Sequence, residues 1–416
     1  DSSTSRGLGD VYKRQILKGL AKSEKLEWVK SQGLENFFLD YSIFKRLYSM
    51  PELDRDKTTD ILGRTNINLI FKSWFEAINN KLESGCLVVI DYDQEKTKIL
   101  EDMGMIYGYT CFYKIFNIPH DYTSNPEKYS PVGFKKKTKE ELEAEVITFL
   151  NLQLGYTKKI GGYSDVMDYW KKKEVILDIP RKETMYFFSD LHSNYSLYQK
   201  INLPSGTIRV HLGDYIDGPE EGGSRKLIEM IFKNASYYNI FLEGNHERRL
   251  RKFLFWRWAA SSNSGGSRAI IAEMLYNSLP TDFLTTTADE FRSLTPGEAL
   301  TWLKRLNDIL KTHIIIKKDD TVFYCTHAGI KYLEQLSPKF IGNVIYGNRD
   351  MDIYDKCFSK TIWKPTGRWS VHAHCKYPDG VDFLKYDGVV NLDPSCEKEI
   401  VYMENNIKNF LPCIVQ

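Results

Sequence analysis

Five short runs of apolar, β-branched and aromatic residues, all after residue 185, each end in a polar residue that can bind a metal or move a proton. Run 186–188 leads into Asp190 and His192. The later runs lead, in chain order, into Asp214 and Asp217, Asn245 and His246, His327, and His374. Runs of this kind predict strands. Because open α/β sheets place their sites at the carboxyl ends of strands, the five runs together predict one site.

The first half of the chain alternates between helical and strand-like patterns. Apolar residues recur at helical spacing over 16–30 and more clearly over 69–82, where Gly85 suits a helix end. The apolar run 86–91, which ends in Asp91, and the run 109–116 each predict a strand. This order favours half of a doubly wound α/β domain.

The 416 residues predict two domains. We expect a first α/β domain at 16–183 and a second at 184–416 with a helical insertion at about 250–315, because the lysine-rich stretch 156–182 has the composition of a linker. Residues 1–15 resemble translated sequencing adapter, and we exclude them from the predicted fold.

Composition adds three constraints. The formal net charge of +2 gives no global field that would attract nucleic acid, so any such surface must be local. The seven cysteines are scattered without a CxxC pair, which favours free thiols. No run approaches the roughly 18 apolar residues of a membrane span. We therefore expect a cytoplasmic protein without a membrane partner.

The polar residues at the strand ends fit phosphoester hydrolysis by two metal ions. This chemistry needs a carboxylate shared between the ions, oxygen and imidazole ligands, a bound water deprotonated near neutral pH, and an acid for the leaving oxygen. The predicted ligands are Asp190, His192 and Asp214 for one ion, and Asp214, Asn245, His327 and His374 for the other. His246 is the candidate acid, with Asp217 fixing its tautomer.

The same motifs, in the same order, resemble the calcineurin-like metallophosphoesterases. D-x-H, G-D-x-x-D, G-N-H-E, H-A-G and a late x-H-x-H follow one another over about residues 185–400. The residue sequences of the GDYID and GNHE motifs are most similar to those of the phosphoprotein-phosphatase branch. The resemblance implies a two-sheet α/β sandwich flanked by helices and two divalent ions, with manganese preferred over iron, zinc or nickel. It favours His374 as the ligand of the late pair and His372 as a supporting residue.

The segment after Asp217 departs from that branch. GDxxDRG supplies an arginine that clamps the substrate phosphate, whereas a Gly-Pro pair follows Asp217 here. The candidates to replace it are Arg225, Arg248, Arg249, Arg349 and Arg368, and we select Arg248, Arg249 and Arg368 as substrate contacts. The stretch 248–258 mixes cations with aromatic residues, which fits either a surface for nucleic acid or an amphipathic core helix.

The first domain resembles P-loop kinases of the polynucleotide kinase type. The resemblance rests on the helix–Gly–VVID unit that ends at Asp91 and on the strand upstream that carries Asp40. The chain contains no G-x-x-x-x-G-K-[ST] loop, so we expect no kinase activity from it. A kinase-like domain before such a phosphatase resembles bacterial and phage enzymes that heal RNA or DNA ends. We therefore expect a phosphatase acting on nucleic-acid 3′ ends. The alternatives are a serine/threonine protein phosphatase, a dinucleotide-polyphosphate hydrolase, or a binding module on the same scaffold.

Overall fold

The computed structural model describes residues 12–18, 22–40, 61–83, 88–91, 98–107, 109–115, 138, 140, 143–144, 176–180, 183–260, 267–330, 333–336, 343–346, 367–374, 389–393, 400–405 and 410–415. The strands are β1 (Tyr12–Lys18), β2 (Phe38–Asp40), β3 (Val88–Asp91), β4 (Tyr109–Ile115), β5 (Ile176–Ile179), β6 (Met185–Phe188), β7 (Ile208–His211), β8 (Asn239–Phe241), β9 (His313–Lys318), β10 (Thr321–Thr326), β11 (Arg368–His372), β12 (Val389–Asn391), β13 (Ile400–Asn405) and β14 (Phe410–Val415). The α-helices are α1 (Lys22–Ser31), α2 (Ile61–Glu83), α3 (Lys98–Ile106), α4 (Tyr195–Gln199), α5 (Gly223–Asn234), α6 (Asn245–Ala259), α7 (Ser267–Asn277), α8 (Thr281–Thr285), α9 (Thr287–Phe291), α10 (Pro296–Ile309) and α11 (Asn343–Tyr346).

The first sheet contains four parallel strands in the order β2-β3-β1-β4. Strand β1 pairs with β4 along its whole length and with β3 from Arg14 to Leu17. Residues 12–15, which the sequence analysis excluded, therefore belong to the fold. The helical interpretation of 16–30 was wrong at its start, because Ile16 lies in β1 and the helix begins at Lys22. A short apolar run fits either structure, and here the strands on both sides decide.

Two further sheets of five strands form the second part of the chain. Their orders are β12-β11-β10-β9-β5 and β14-β13-β6-β7-β8. They pack face to face over an apolar core in which Phe187 of one sheet lies 5.9 Å, ring to ring, from Phe323 of the other. Strand β5 pairs with β9, so this sandwich recruits residues on the amino-terminal side of the predicted domain boundary at 183.

Strand β6 is buried on both faces, which explains why its residues are apolar at every position. Met185 and Phe187 face the core between the two sheets, while Tyr186 and Phe188 face a second core covered by helices. A strand buried on both faces needs apolar residues at every position. The second core is continuous with the first sheet's helices, since Trp74 of α2 belongs to the same cluster of buried side chains.

The predicted mixed α/β class is confirmed by the three sheets and the helices that cover them. Among the helices that the structure describes, none is both long and apolar enough to cross a membrane. Arg349, one of the arginines considered above as a phosphate clamp, lies outside the described residues, as does most of the predicted linker 156–182.

Candidate metal centre

The carboxyl ends of strands from both sheets of the sandwich meet at one place. Asp190 and His192 follow β6, Asp214 follows β7, and Asn245 begins α6 just after β8. From the other sheet, His327 follows β10 and His374 follows β11. The structure brings five of these predicted ligands together in two carboxylate–histidine groups that share Asp214, and the ligand atoms within each group lie within 4.8 Å of one another. The sixth, Asn245, joins the second group, because its Oδ1 lies 3.1 Å from His327 Nε2.

His327 has a ring orientation suited to a metal ligand. Its Nδ1 lies 2.8 Å from the carbonyl oxygen of Leu212, which can only accept a hydrogen bond, so in the neutral ring Nε2 keeps a lone pair. That Nε2 lies 3.1 Å from Asn245 Oδ1, 3.1 Å from His374 Nδ1 and 3.3 Å from Asp214 Oδ2. With His327 neutral, lone pairs from four side chains thus converge. A divalent cation fits such a set.

The second ligand group has the same character. His192 Nδ1 lies 3.3 Å from the carbonyl oxygen of Ile216, so the lone pair of the neutral ring lies on Nε2. Asp190 is almost fully buried, and its Oδ1 accepts no hydrogen bond from the residues that the structure describes. A buried carboxylate oxygen without a hydrogen bond is costly unless positive charge lies beside it, and His327 Nδ1 lies 3.6 Å from this one. The residues at the second position therefore also fit a metal ion.

The buried carboxylates of the centre shift the pKa values of the residues around them. Burial, with the neighbouring Asp214 carboxylate, raises the pKa of Asp190 well above its usual range. Burial would lower the pKa of His327, but Asp214 and Asp190 raise it to about 10. The buried carboxylates therefore favour a positive charge at this position, whether a proton on His327 or a divalent cation at its Nε2. Burial and His327 lower the pKa of His374 to about 4, so His374 keeps its lone pair.

Backbone conformation at the centre is strained. Among the described residues other than glycine, six have positive φ, and four of them are predicted site residues: His192 (38°), Asp214 (50°), Asp217 (61°) and His374 (67°). Left-handed backbone at such residues costs about 1–3 kcal/mol each and persists where function requires it. Gly244 allows the close approach of two of these segments, because a Cβ there would lie 2.1 Å from Asp214 Oδ1.

His246 and Asp217 form a hydrogen-bonded pair beside the ligands. His246 Nδ1 lies 2.7 Å from Asp217 Oδ2, and Nε2 lies 3.6 Å from Asp214 Oδ2. Burial would lower the pKa of His246, but the Asp214 charge and the hydrogen bond to Asp217 outweigh it and raise the pKa. The two carboxylates therefore favour the protonated imidazole, and the hydrogen bond to Asp217 fixes its orientation next to the ligand groups. This geometry suits a general acid.

Arg249 adds a cation to this pair. Its Nη1 lies 2.8 Å from Asp217 Oδ2 and 3.2 Å from His246 Nδ1, and its side chain is 27% exposed. Of the three arginines predicted to contact substrate, it is the one that the structure brings to the centre.

The other two predicted arginines lie elsewhere. Arg248 is fully buried and points away from the ligands, towards Glu243 and the carboxyl end of α2. Arg368 is the first residue of β11, whereas His374 follows the last, so the two are separated by roughly 20 Å of extended chain. The assignment of both as substrate contacts is therefore corrected. A residue type alone does not reveal which end of a strand or which face of a helix it occupies.

The missing arginine after Asp217 has a steric explanation. A Cβ at Gly218 would lie 1.6 Å from the carbonyl oxygen of His192, and its amide donates to Ser193 Oγ at 3.0 Å. No side chain fits at position 218 in this backbone conformation. The arginine of the GDxxDRG motif has no counterpart at position 218, because the loop packs directly against the turn that carries the predicted ligand His192.

Glu247 is a functional residue that the sequence analysis missed. It is fully buried, and its carboxylate accepts the amides of Asp214 (3.0 Å), Tyr215 (2.8 Å) and Gly244 (2.9 Å). It thereby ties the loop carrying the shared ligand to the start of α6. The signal was available, because a glutamate three residues after a helix N-cap is a capping-box position.

The stretch 248–258 forms the body of α6, and most of it is core. Phe253, Phe255, Arg251 and Lys252 are buried, which fits the amphipathic-helix interpretation of this stretch. These four side chains therefore do not form a surface that could stack bases.

No protein-family model matches the chain, and no curated protein matches it in sequence. Among solved structures, it is similar to a provisionally assigned diadenosine tetraphosphatase at 15% identity and a TM-score of 0.37, over 58% of this chain and 99% of that chain. It is also similar to a protein serine/threonine phosphatase from Saccharomyces cerevisiae with similarity to human phosphatase PP5. That match has 11% identity and a TM-score of 0.33, over 67% of this chain and 96% of that chain.

Proposed function

We propose that the chain is a metal-dependent phosphatase that hydrolyses phosphomonoesters with two divalent ions. The observation that carries this proposal is the position of Asp214, whose carboxylate belongs to both ligand groups. A carboxylate between two ions is what in-line hydrolysis of a phosphoester requires. The ordered motifs shared with calcineurin-like metallophosphoesterases support the same reaction class.

The side chains of the centre would hold the two ions and orient the substrate. The residues that would hold the ions are Asp190, His192 and Asp214 at one position, and Asp214, Asn245, His327 and His374 at the other. When bound, such ions supply Lewis acidity towards the phosphoryl group and make water acidic enough to act near neutral pH. Manganese is our first choice, with iron, zinc or nickel as alternatives.

His246 is the proposed acid for the leaving oxygen. Asp217 accepts from Nδ1, which leaves the Nε2 proton directed at the centre. As the bond between phosphorus and the leaving oxygen breaks, that proton moves from Nε2 to the oxygen, and the leaving group departs neutral. General acid catalysis of this kind contributes about 10²- to 10⁴-fold.

Arg249 is the proposed phosphate clamp. It uses one nitrogen on Asp217, and its guanidinium has further donors that can meet phosphate oxygens. Because it comes from α6 instead of the loop after Asp217, it supplies the charge without needing a side chain at Gly218.

We further propose nucleic-acid 3′ ends as substrates. The support is the resemblance of the first domain to polynucleotide kinases, together with its all-parallel sheet. Such a domain would deliver a polynucleotide end to the phosphatase centre.

A protein phosphatase is the second candidate, and one observation favours it. A cavity of about 690 Å³ adjoins Asp217, and five carboxylate residues but two cationic ones line it (Glu220, Glu221, Glu229, Asp289 and Glu290 against Arg225 and Lys226). An acidic cavity suits the basic flank of a phosphopeptide better than a polyanionic strand.

The deciding experiment measures phosphate release with added Mn²⁺ from a 3′-phosphorylated oligonucleotide, a phosphoserine peptide with basic flanks and a dinucleotide polyphosphate, with Asp214→Asn as the blank. We expect release from the oligonucleotide. Release from the peptide alone would replace end healing by protein dephosphorylation. Absence of release from all three and from p-nitrophenyl phosphate would reject a phosphatase.

A further inference from the structure

The catalytic helix α6 carries three cations that its position in the fold buries. Arg248, Arg251 and Lys252 are each no more than about one-twentieth exposed. Buried cations are costly unless they are paired and hydrogen-bonded. The positions of their partners therefore show which parts of the chain hold α6 in place.

One partner precedes the metal-ligand turn directly. Glu243, also buried, lies 2.7 Å from Arg251 Nε through Oε1 and 3.7 Å from Arg248 Nη2 through Oε2. Glu243 is separated from the predicted ligand Asn245 by a single glycine. The ion pairs thus join the segment that follows β8 to the first two turns of α6.

The other partners belong to the amino-terminal domain. Arg248 Nη1 donates to the carbonyl oxygens of Leu82, at 3.3 Å, and of Glu83, at the end of α2. The last carbonyls of a helix have no partner within the helix and carry the negative end of its dipole, so a buried guanidinium satisfies both needs. Lys252 Nζ lies 2.6 Å from Glu83 Oε1.

Aromatic rings complete the surroundings of Arg248. Its guanidinium carbon lies 5.6 Å from the centre of the Tyr107 ring and 5.5 Å from that of Tyr346. Tyr107 belongs to the amino-terminal domain, so both domains enclose this one cation. Further contacts join the domains nearby, from Arg268 to Asp102 and, at 2.6 Å, from Asn307 Nδ2 to the carbonyl oxygen of Met105.

We infer that Arg248 is a positioning residue through which the amino-terminal domain fixes the catalytic helix. Arg248 lies in the first turn of α6, two residues after His246 and next to Glu247, which holds the Asp214 loop. Because a helix turn moves as a unit, loss of the anchor on α2 displaces Asn245 and His246 together. The inference rests on the proposed function for its kinetic consequence, and on geometry alone for its structural one.

Arg248→Met tests this inference without creating an unpaired charge. Arg251 still neutralises Glu243, and the methionine still packs between the two tyrosines, while the donor to α2 is lost. Arg257→Met is the matched control, because Arg257 also lies on α6 and donates to a carbonyl, that of Leu294, within its own domain at 3.0 Å.

Three readouts are compared with wild type: hydrogen exchange, Mn²⁺ binding by calorimetry, and kcat and KM for p-nitrophenyl phosphate. For Arg248→Met we expect faster exchange at the end of α2 and over 243–247, and Mn²⁺ affinity lower by about 10-fold or more. We also expect kcat lower by about 10- to 100-fold with KM within about twofold. The control is expected to change exchange near 257 and 294 alone.

The inference is overturned if Arg248→Met speeds exchange in α2 but matches the control in Mn²⁺ affinity and in exchange over 243–247. In that case Arg248 docks the domains without positioning the ligands. If wild type fails to hydrolyse the ester, the proposed function fails, while calorimetry and exchange still decide the role of Arg248. If Arg248→Met does not fold, Lys252→Met takes its place, because it breaks the pair with Glu83. We expect the same changes in exchange, Mn²⁺ affinity and kcat, each smaller than for Arg248→Met. Wild-type values for Lys252→Met would reject the inference.

Discussion

Replacing Glu247 by glutamine should damage the protein although the two side chains have the same shape. The carboxylate accepts three buried amides, those of Asp214 and Gly244 on Oε2 and that of Tyr215 on Oε1. Glutamine has one acceptor oxygen, and its NH₂ group would face an amide donor. Even in the better orientation, with the oxygen towards Asp214 and Gly244, the Tyr215 amide is left buried without an acceptor.

The magnitude follows from these three contacts. Losing one hydrogen bond to a charged acceptor and leaving its donor buried costs about 2–3 kcal/mol, and weakening the other two adds about 1–2 kcal/mol. Relief of the repulsion between Glu247 and Asp214, which raises the pKa of Glu247, offsets part of this and leaves about 2–4 kcal/mol. The loop that carries Asp214 also loses its fixed position, so kcat should fall by about 10- to 100-fold.

Urea unfolding without metal, followed by tryptophan fluorescence, measures the stability change, and hydrolysis of p-nitrophenyl phosphate with Mn²⁺ measures the kinetic one. Glu229→Gln is the control, because this glutamate is 51% exposed and forms an i,i+4 pair with Arg225 that should be worth less than about 0.5 kcal/mol. If Glu247→Gln unfolds at the same urea concentration as the control and keeps wild-type kcat, Glu247 does not organise the site.

Three other changes test the site. Asp214→Asn should abolish metal-dependent hydrolysis and lower the number of ions bound, measured by calorimetry; normal turnover would refute a shared ligand. His246→Ala should slow release of alkyl leaving groups by about 10²- to 10⁴-fold but that of nitrophenol less, measured as the ratio of kcat values, and equal losses would reject its role as acid. Gly218→Arg should lower stability by about 3 kcal/mol in urea unfolding instead of restoring a clamp, because its Cβ would meet the carbonyl oxygen of His192.

The ligand cluster could be predicted from sequence for a geometric reason. Parallel strands align their carboxyl ends, so residues such as Asp190 and Asp214, each placed just after an apolar run, must lie at one edge of a sheet. What the pattern could not give is the meeting of two sheets. His327 and His374 follow strands of the other sheet, and the motif order carried that information where periodicity did not.

The environment of charged residues was harder to predict. Arg248 and Arg249 are adjacent in sequence, yet one is buried against the end of α2 and the other reaches Asp217. Adjacent helical residues point about 100° apart, so their environments depend on which elements pack on each side. Sequence spacing gives no sign that the end of a helix more than 160 residues earlier in the chain lies there.

The close contact between the loop after Asp217 and the turn at 192–193 explains why an arginine is absent from position 218 and why Arg249 is the cation beside Asp217. A Cβ at Gly223 would lie 1.9 Å from the carbonyl oxygen of Ser193, and one at Gly218 would collide with the same turn. The backbone at 218 and 223 is therefore pressed onto the turn that carries His192 and Ser193, and neither position has room for a long cation. The cation that does reach Asp217 comes from another element, the first turns of α6, through Arg249. It follows that Arg249→Met should raise KM for a phosphomonoester in this chain, whereas an arginine introduced at 218 should not lower it.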